Sequence, residues 1–153
     1  AAQEIKMAVI DYAYCMRNSA AGKKATDEIR ALTESKNQSL KGLTDEIQKM
    51  NNDYQAKEKL LTDTAKREEI TKIQNKMAEY EQKARQAQAE LQAKDQELTA
   101  KTAEELDKVL EAYAKEKGLD LILQIQGTAY VGPKVTNISD EIIARFDKAY
   151  PGR

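Results

Sequence analysis

Apolar residues along this chain follow different periods in different stretches, and the changes of period divide it. In IKMAVIDYAY the side chains alternate, with Ile5, Met7 and Val9 on one strongly apolar face and Lys6, Ala8 and Ile10 on a mixed one. Alternation of this kind predicts a strand. From SAAGKKATDEI onward the period lengthens. Ser19 is placed to cap a helix with Gly22 in its first turn, and Ile29, Leu32, Leu43, Ile47, Met50, Tyr54 and Leu61 recur at steps compatible with 3.6. Lys36 and Ser39 stand where that stripe should continue. The stripe stops at LLTDTAKRE, where Thr62, Asp63 and Thr64 offer capping side chains for a new helix.

A second series runs Ile70, Ile73, Met77, Tyr80, Ala84, Ala87, Leu91 and Leu98, the a and d positions of one heptad frame interrupted at Lys94. Leu106, Leu110 and Tyr113 continue it after a shift of phase, and Gly118 ends it. The pattern predicts helices over residues 23–61 and 65–117, roughly 58 and 80 Å long at 1.5 Å per residue. Each stripe is narrow, suited to pairing with the other helix rather than to joining a thick core. An antiparallel helical hairpin projecting into solvent, with its tip near 61–65, follows.

After Gly118 the period returns to two. Leu119, Leu121, Leu123 and Ile125 fall on one side, Asp120, Gln124 and Gln126 on the other, with Ile122 as the exception. Gly127 permits a turn, and TAYV offers a partner strand carrying Tyr130 on one face. Ser139 is then read as the cap of a short helix, SDEIIARFDKAY, with Ile142, Ile143 and Phe146 on its apolar face. Three short strands from one chain make a marginal sheet unless its face and edges are covered. A further copy of the same sheet would supply that cover, which makes GLDLILQIQG an assembly element.

Composition supports long helices. Ala, Glu, Lys, Leu and Arg make up about half of the 153 residues. A third of the chain is charged, yet the net charge is only −1, so the ions read as solvated helix faces and nothing nominates nucleic acid as a partner. From 57 to 85 there are eight Lys or Arg against six acids, an excess that reads first as an ordinary solvated surface. No run of eighteen apolar residues is present, so the sequence contains no helical membrane span. The first residue is Ala, which suits a terminus left by signal cleavage at small residues, although an engineered start would read the same.

Chemistry at a catalytic or metal site finds little to work with. There is no His, the commonest general base and metal ligand, and the single Cys15 reads as a small apolar side chain. Lys23 in GKK is not followed by Ser or Thr, so the segment is no phosphate loop. No cofactor, metal or catalytic residue is assigned. A structural coiled-coil spacer remains a rival reading, as does a prefoldin-like cytosolic chaperone, which also joins strands to helical arms.

The order of AVIDY, SAAGKK, a long charged hairpin, KGLDLIL, AYVGP and NISDEII resembles the Skp/OmpH family of periplasmic chaperones over nearly the whole chain. The resemblance implies a mostly α, α+β fold: a β core shared between three subunits, with three helical hairpins as tentacles around a cavity. It implies an ATP-independent holdase in the periplasm that receives unfolded outer-membrane β-barrel proteins, close to a membrane surface, and keeps them from aggregating. Residues 1–22 and 118–153 would then be the oligomerisation body and 23–117 the tentacle. Ile5, Met7, Val9, Leu119, Leu121, Leu123, Ile125 and Tyr130 would carry assembly. Met50, Tyr54, Met77, Tyr80, Lys57, Lys59, Lys66 and Arg67 are the candidates for client contact, with Met chosen because it conforms to varied apolar partners. Unlike the strongly basic type of the family, this chain is nearly neutral.

Overall fold

A computed structural model of the chain describes residues 3–152. Its elements run β1 (Met7–Ile10), α1 (Tyr12–Asn18), α2 (Ala20–Lys57), a 3-10 turn at Glu58–Leu60, α3 (Asp63–Lys117), β2 (Leu121–Gln124), β3 (Thr136–Asn137) and α4 (Ser139–Ala149). The fold is α+β and mostly helical. Contacts group the residues into two compact units, Ala1–Glu28 with Asp95–Arg153, and Ile29–Lys94.

The first unit holds the sheet, in the order β2-β1-β3 with both pairings parallel. Met7 lies level with Leu121, Ala8 with Ile122 and Val9 with Leu123, while Ala8 and Val9 meet Thr136 and Asn137 on the other edge. Ala8 and Ile10 face a core built from Cys15, Leu106, Val109, Tyr113, Ile138, Ile142 and Phe146. Leu106, Ile142, Phe146 and Cys15 are wholly buried there. The strand expected through IKMAVIDYAY is therefore cut short at Ile10. Asp11 turns the chain: its carboxylate accepts from Tyr14 N–H at 2.9 Å and caps α1, which makes Tyr12 and Tyr14 helical.

The joint between α1 and α2 is a close backbone contact. Ser19 is buried and its hydroxyl accepts from Gly22 N–H at 3.1 Å, the capping role its position predicts. A Cβ at Gly22 would lie 1.6 Å from the carbonyl oxygen of Met16, so only glycine permits this approach. The Asp147 carboxylate, brought over by α4, accepts from Ala20 N–H at 2.7 Å and satisfies another orphan donor of the same helix start.

Helix α3 ends where Gly118 takes a left-handed conformation (φ 63°), with Leu119 N–H returning to the Ala114 carbonyl at 2.9 Å. TAYV is not a strand. The connection from β2 to β3 joins parallel strands on opposite edges of β1, and 125–135 is consumed in that crossover, leaving Thr136–Asn137 as the third strand. Tyr130 accordingly sits on a loop, 80% exposed. Ser139 is the first residue of α4 rather than its side-chain cap. Its N–H donates to Asn137 Oδ1 at 3.0 Å, and its hydroxyl accepts from Asp11 N–H at 2.8 Å, tying the start of α4 to the end of β1.

In the second unit the chain reverses at the 3-10 turn, and Thr62 Oγ1 accepts from Ala65 N–H at 3.2 Å to start α3. Ion pairs fix the direction of pairing between α2 and α3: Lys36 meets Glu90, Glu46 meets Lys76 and Lys57 meets Glu69. Positions rise on one helix as they fall on the other, so the helices are antiparallel. Leu43, Ile73 and Ala87 are buried in the seam, and Leu40, Ile47, Met50, Tyr54, Tyr80 and Leu91 are half-buried along it. At the first interruption of the apolar stripe, Lys36 is met by a carboxylate across the seam, and Leu40 takes the place Ser39 leaves empty.

Candidate assembly and client surfaces

Parity along β1 and β2 decides what each face of the sheet can do. In a parallel pair, registered residues project to the same side, so Met7 with Leu121 and Val9 with Leu123 share the face opposite the core. Val9, flanked on both sides as the central strand, is buried, while Met7, Leu121 and Leu123 each remain more than 40% exposed. Ile5, just before the strand, is 69% exposed. One face of this small sheet therefore presents large aliphatic side chains to solvent, an arrangement more typical of an interface than of a monomer surface.

Not all residues assigned to assembly lie there. Leu119 precedes the strand and follows the left-handed Gly118, so strand parity does not reach it; it packs against the inner core. Ile125 is half-buried past the end of β2, its N–H donating to the Ile10 carbonyl at 2.8 Å. The outer edge of β2 adjoins an apolar cleft lined by Ile10, Tyr12, Leu110, Leu119, Leu121 and Ile122 among others.

Polar links brace the inner side of the sheet. Tyr12 hydroxyl donates to Asp107 Oδ1 at 2.9 Å, and burial together with that carboxylate pushes its pKa up to about 12. Tyr113 donates to Glu141 Oε2 at 2.8 Å while Arg145 stacks over its ring at 4.8 Å and pairs with Glu116. The guanidinium holds the Glu116 carboxyl below its ordinary range. Burial raises the Cys15 thiol to about 11, so at neutral pH it is a protonated packing group.

The second unit carries the client candidates. Met50, Tyr54 and Tyr80 are half-buried in the helix seam, whereas Met77 is 48% exposed. Lys57 pairs with Glu69 at 3.9 Å, Lys59 and Arg67 are exposed, and Lys66 is half-buried. Two apolar side chains that pattern reading did not single out as client contacts stand out: Leu60 at the turn is 86% exposed and Ile70 is 40% exposed. The signal for Ile70 was present in the heptad frame. Ile73 and Ala87 occupy the buried d-type line, which leaves Ile70 and Met77, seven residues apart, on its solvent flank. Among the described residues there is no group of three or more metal-ligating side chains, and no helix is long and apolar enough to cross a membrane.

A family model described as outer membrane protein (OmpH-like) matches residues 6–146. No curated protein matches the chain in sequence. Among solved structures, a candidate OmpH-like outer membrane chaperone from Caulobacter crescentus superposes with a TM-score of 0.88, over 97% of this chain and 88% of its own, at 16% identity. That likeness is one of fold.

Proposed function

The chain belongs to the OmpH-like family of outer membrane proteins, and on that premise we propose that it is a periplasmic chaperone working as an ATP-independent holdase. Its clients would be unfolded outer-membrane β-barrel proteins, held in a cavity between helical arms of a homotrimer. The observation that carries the assembly half of this reading is the sheet face of Ile5, Met7, Leu121 and Leu123, exposed in a single copy and apolar enough to demand cover. On this reading the unit of residues 1–28 and 95–153 serves as the body and that of residues 29–94 as the client-holding arm, which moves the boundary inward from the 22/23 and 117/118 that the sequence pattern suggests.

Holding requires no chemical step. An unfolded β-barrel chain exposes strands that pair with those of its neighbours, and enclosing one molecule per cage removes the neighbours. Many weak contacts along the arms, each quickly reversible, add through effective concentration. Met77, Ile70 and Leu60 are the apolar side chains of the arm most open to such contact, with Lys59, Lys66 and Arg67 beside them in sequence. Met50, Tyr54 and Tyr80 contribute only as far as their half-buried surfaces allow.

The deciding experiment dilutes a urea-unfolded outer-membrane β-barrel into buffer with and without one equivalent of trimer, followed by light scattering. Suppressed aggregation is expected without added nucleotide. Unchanged aggregation at stoichiometric trimer retires the holdase reading.

A further inference from the structure

We infer that the helical hairpin of residues 29–94 is buttoned by cross-seam ion pairs, so that acidification loosens the pairing of its two helices while the sheet-bearing unit keeps its protection. The seam has few buried apolar side chains, namely Leu43, Ile73 and Ala87, and none of the three is wholly buried. Charges fill the intervals between and beyond them. Lys36 meets Glu90, whose other oxygen accepts from Gln86 at 3.0 Å. Lys76 sits between Glu46 of α2 (3.3 Å) and Glu79 of its own helix (3.0 Å), and Glu79 also meets Lys83 at 3.4 Å. Near the turn, Glu69 is shared by Lys57 of α2 (3.9 Å) and Lys72 (3.5 Å).

The lysines of these pairs are only partly solvated: Lys36 and Lys76 keep 28% and 25% of their side-chain surface exposed, while Glu90, Glu46 and Glu79 keep 41%, 51% and 40%. Protonating a glutamate leaves a lysine charge at the seam without its counter-ion, which favours letting that side chain out to water. The hydrogen bond from Lys36 lowers the Glu90 carboxyl, and that from Lys76 lowers Glu79. A depressed carboxylate contributes stability that is present above its unfolded value, about 4.5, and is lost as pH falls through the lower folded value. The acid response therefore begins below pH 4.5 and deepens from there.

The other unit has acid-sensitive groups too, notably Asp11 and Glu116 with lowered carboxyls. It also has Phe146, Leu106, Ile142 and Cys15 wholly buried in one cluster, so loss of its ionic links leaves an apolar core intact. For a chaperone, a looser seam would open Ile47, Met50, Tyr54 and Tyr80 to contact more often in acid. That consequence rests on the holdase reading, whereas the loosening itself does not.

Hydrogen exchange with mass spectrometry on the full chain, corrected for intrinsic rates, tests it at about pH 7 and about pH 3.5. Protection within 29–94 is expected to fall about two- to fivefold in acid, chiefly the worth of the Lys36–Glu90 pair, while β1 and α4 keep theirs. Glu90→Gln should reproduce part of that loss around residues 36 and 90 at neutral pH. The apolar double variant Lys36→Met with Glu90→Leu should flatten the acid response at the same place. Equal loss of protection in both units overturns the inference, as does a double variant that responds to acid like the parent.

Discussion

Two glycines of the same helix provide a matched pair of substitutions with opposite expected signs. At Gly42 an added Cβ meets nothing within 4 Å, so Gly42→Ala should express only the backbone benefit, about 0.5–1 kcal/mol of added stability. At Gly22 the same methyl group would stand 1.6 Å from the Met16 carbonyl oxygen. A carbon–oxygen contact needs roughly 3.3 Å, so the α1–α2 joint must open by roughly 1.7 Å. That joint is held by Ser19 N–H to the Cys15 carbonyl (3.1 Å), Gly22 N–H to Ser19 Oγ (3.1 Å) and Ala20 N–H to Asp147 (2.7 Å). Losing two or three such bonds costs about 0.5–1.5 kcal/mol each, and moving α1 also disturbs the wholly buried Cys15. With about 1–3 kcal/mol more for the overpacking itself and a helix-propensity gain of about 1 kcal/mol set against both, the central expectation is a loss of about 2–4 kcal/mol. For a chain of this size that corresponds to a midpoint roughly 5–15 °C lower. Thermal melts by far-ultraviolet circular dichroism, at fixed protomer concentration, read both variants against the parent. If Gly22→Ala melts at or above the parent, the close approach does not constrain the fold and the reasoning fails.

Other regions of the molecule carry expectations of their own. The parent should sediment as a trimer, and the double change Leu121→Asp with Leu123→Asp should dissociate or unfold it; a parent that is a stable monomer contradicts the shared sheet. Stability should decline between about pH 9 and 12. The folded state keeps its proton on Cys15 up to about 11 and on Tyr12 up to about 12, above the ordinary values of 9.0 and 10.0, so the stability they lend is lost as pH rises through those values. Denaturant titrations across that range check the sign. A thiol reagent at pH 8 should leave Cys15 unmodified until the protein unfolds, and rapid labelling of the native protein counts against its burial.

Long-range organisation was legible where a pattern repeats. The heptad series, the cap at Ser19 and the stop at Gly118 each rest on local chemistry, and each appears in the structure. Parity along β1 and β2 was legible as well, but not which side faces inward. The smaller set, Ala8 with Ile10, goes to the core because three helices must approach that face, and the bulkier Met7, Leu121 and Leu123 remain outside. The helical turn at Tyr12–Asn18 was hidden by β-prone neighbours, since Ile10, Tyr12 and Tyr14 outweigh one aspartate in any local reading. TAYV was misread because consecutive strands most often pair as hairpins, whereas this sheet is parallel and its last two strands in sequence never touch. Among the candidate client residues, Met77 is half-exposed while Met50 and Tyr80 stay in the seam, a distinction that needs the pairing register of the two helices.

The central strand β1 pairs with residues 114 positions further along, Met7 with Leu121, and with Thr136–Asn137 beyond them. No strand of the sheet can therefore form until almost the entire chain is present, whereas the reversal at residues 58–63 requires only local sequence. Closing a loop of that length from a flexible chain is slow and entropically costly; zipping α2 against α3 first shortens it to a short gap. The helical hairpin is thus expected to fold before the sheet. Until residues 121–137 arrive, a growing chain carries the apolar strand Met7–Ile10 with no partner for it, which puts it in the same position as any unfolded chain that a chaperone would hold.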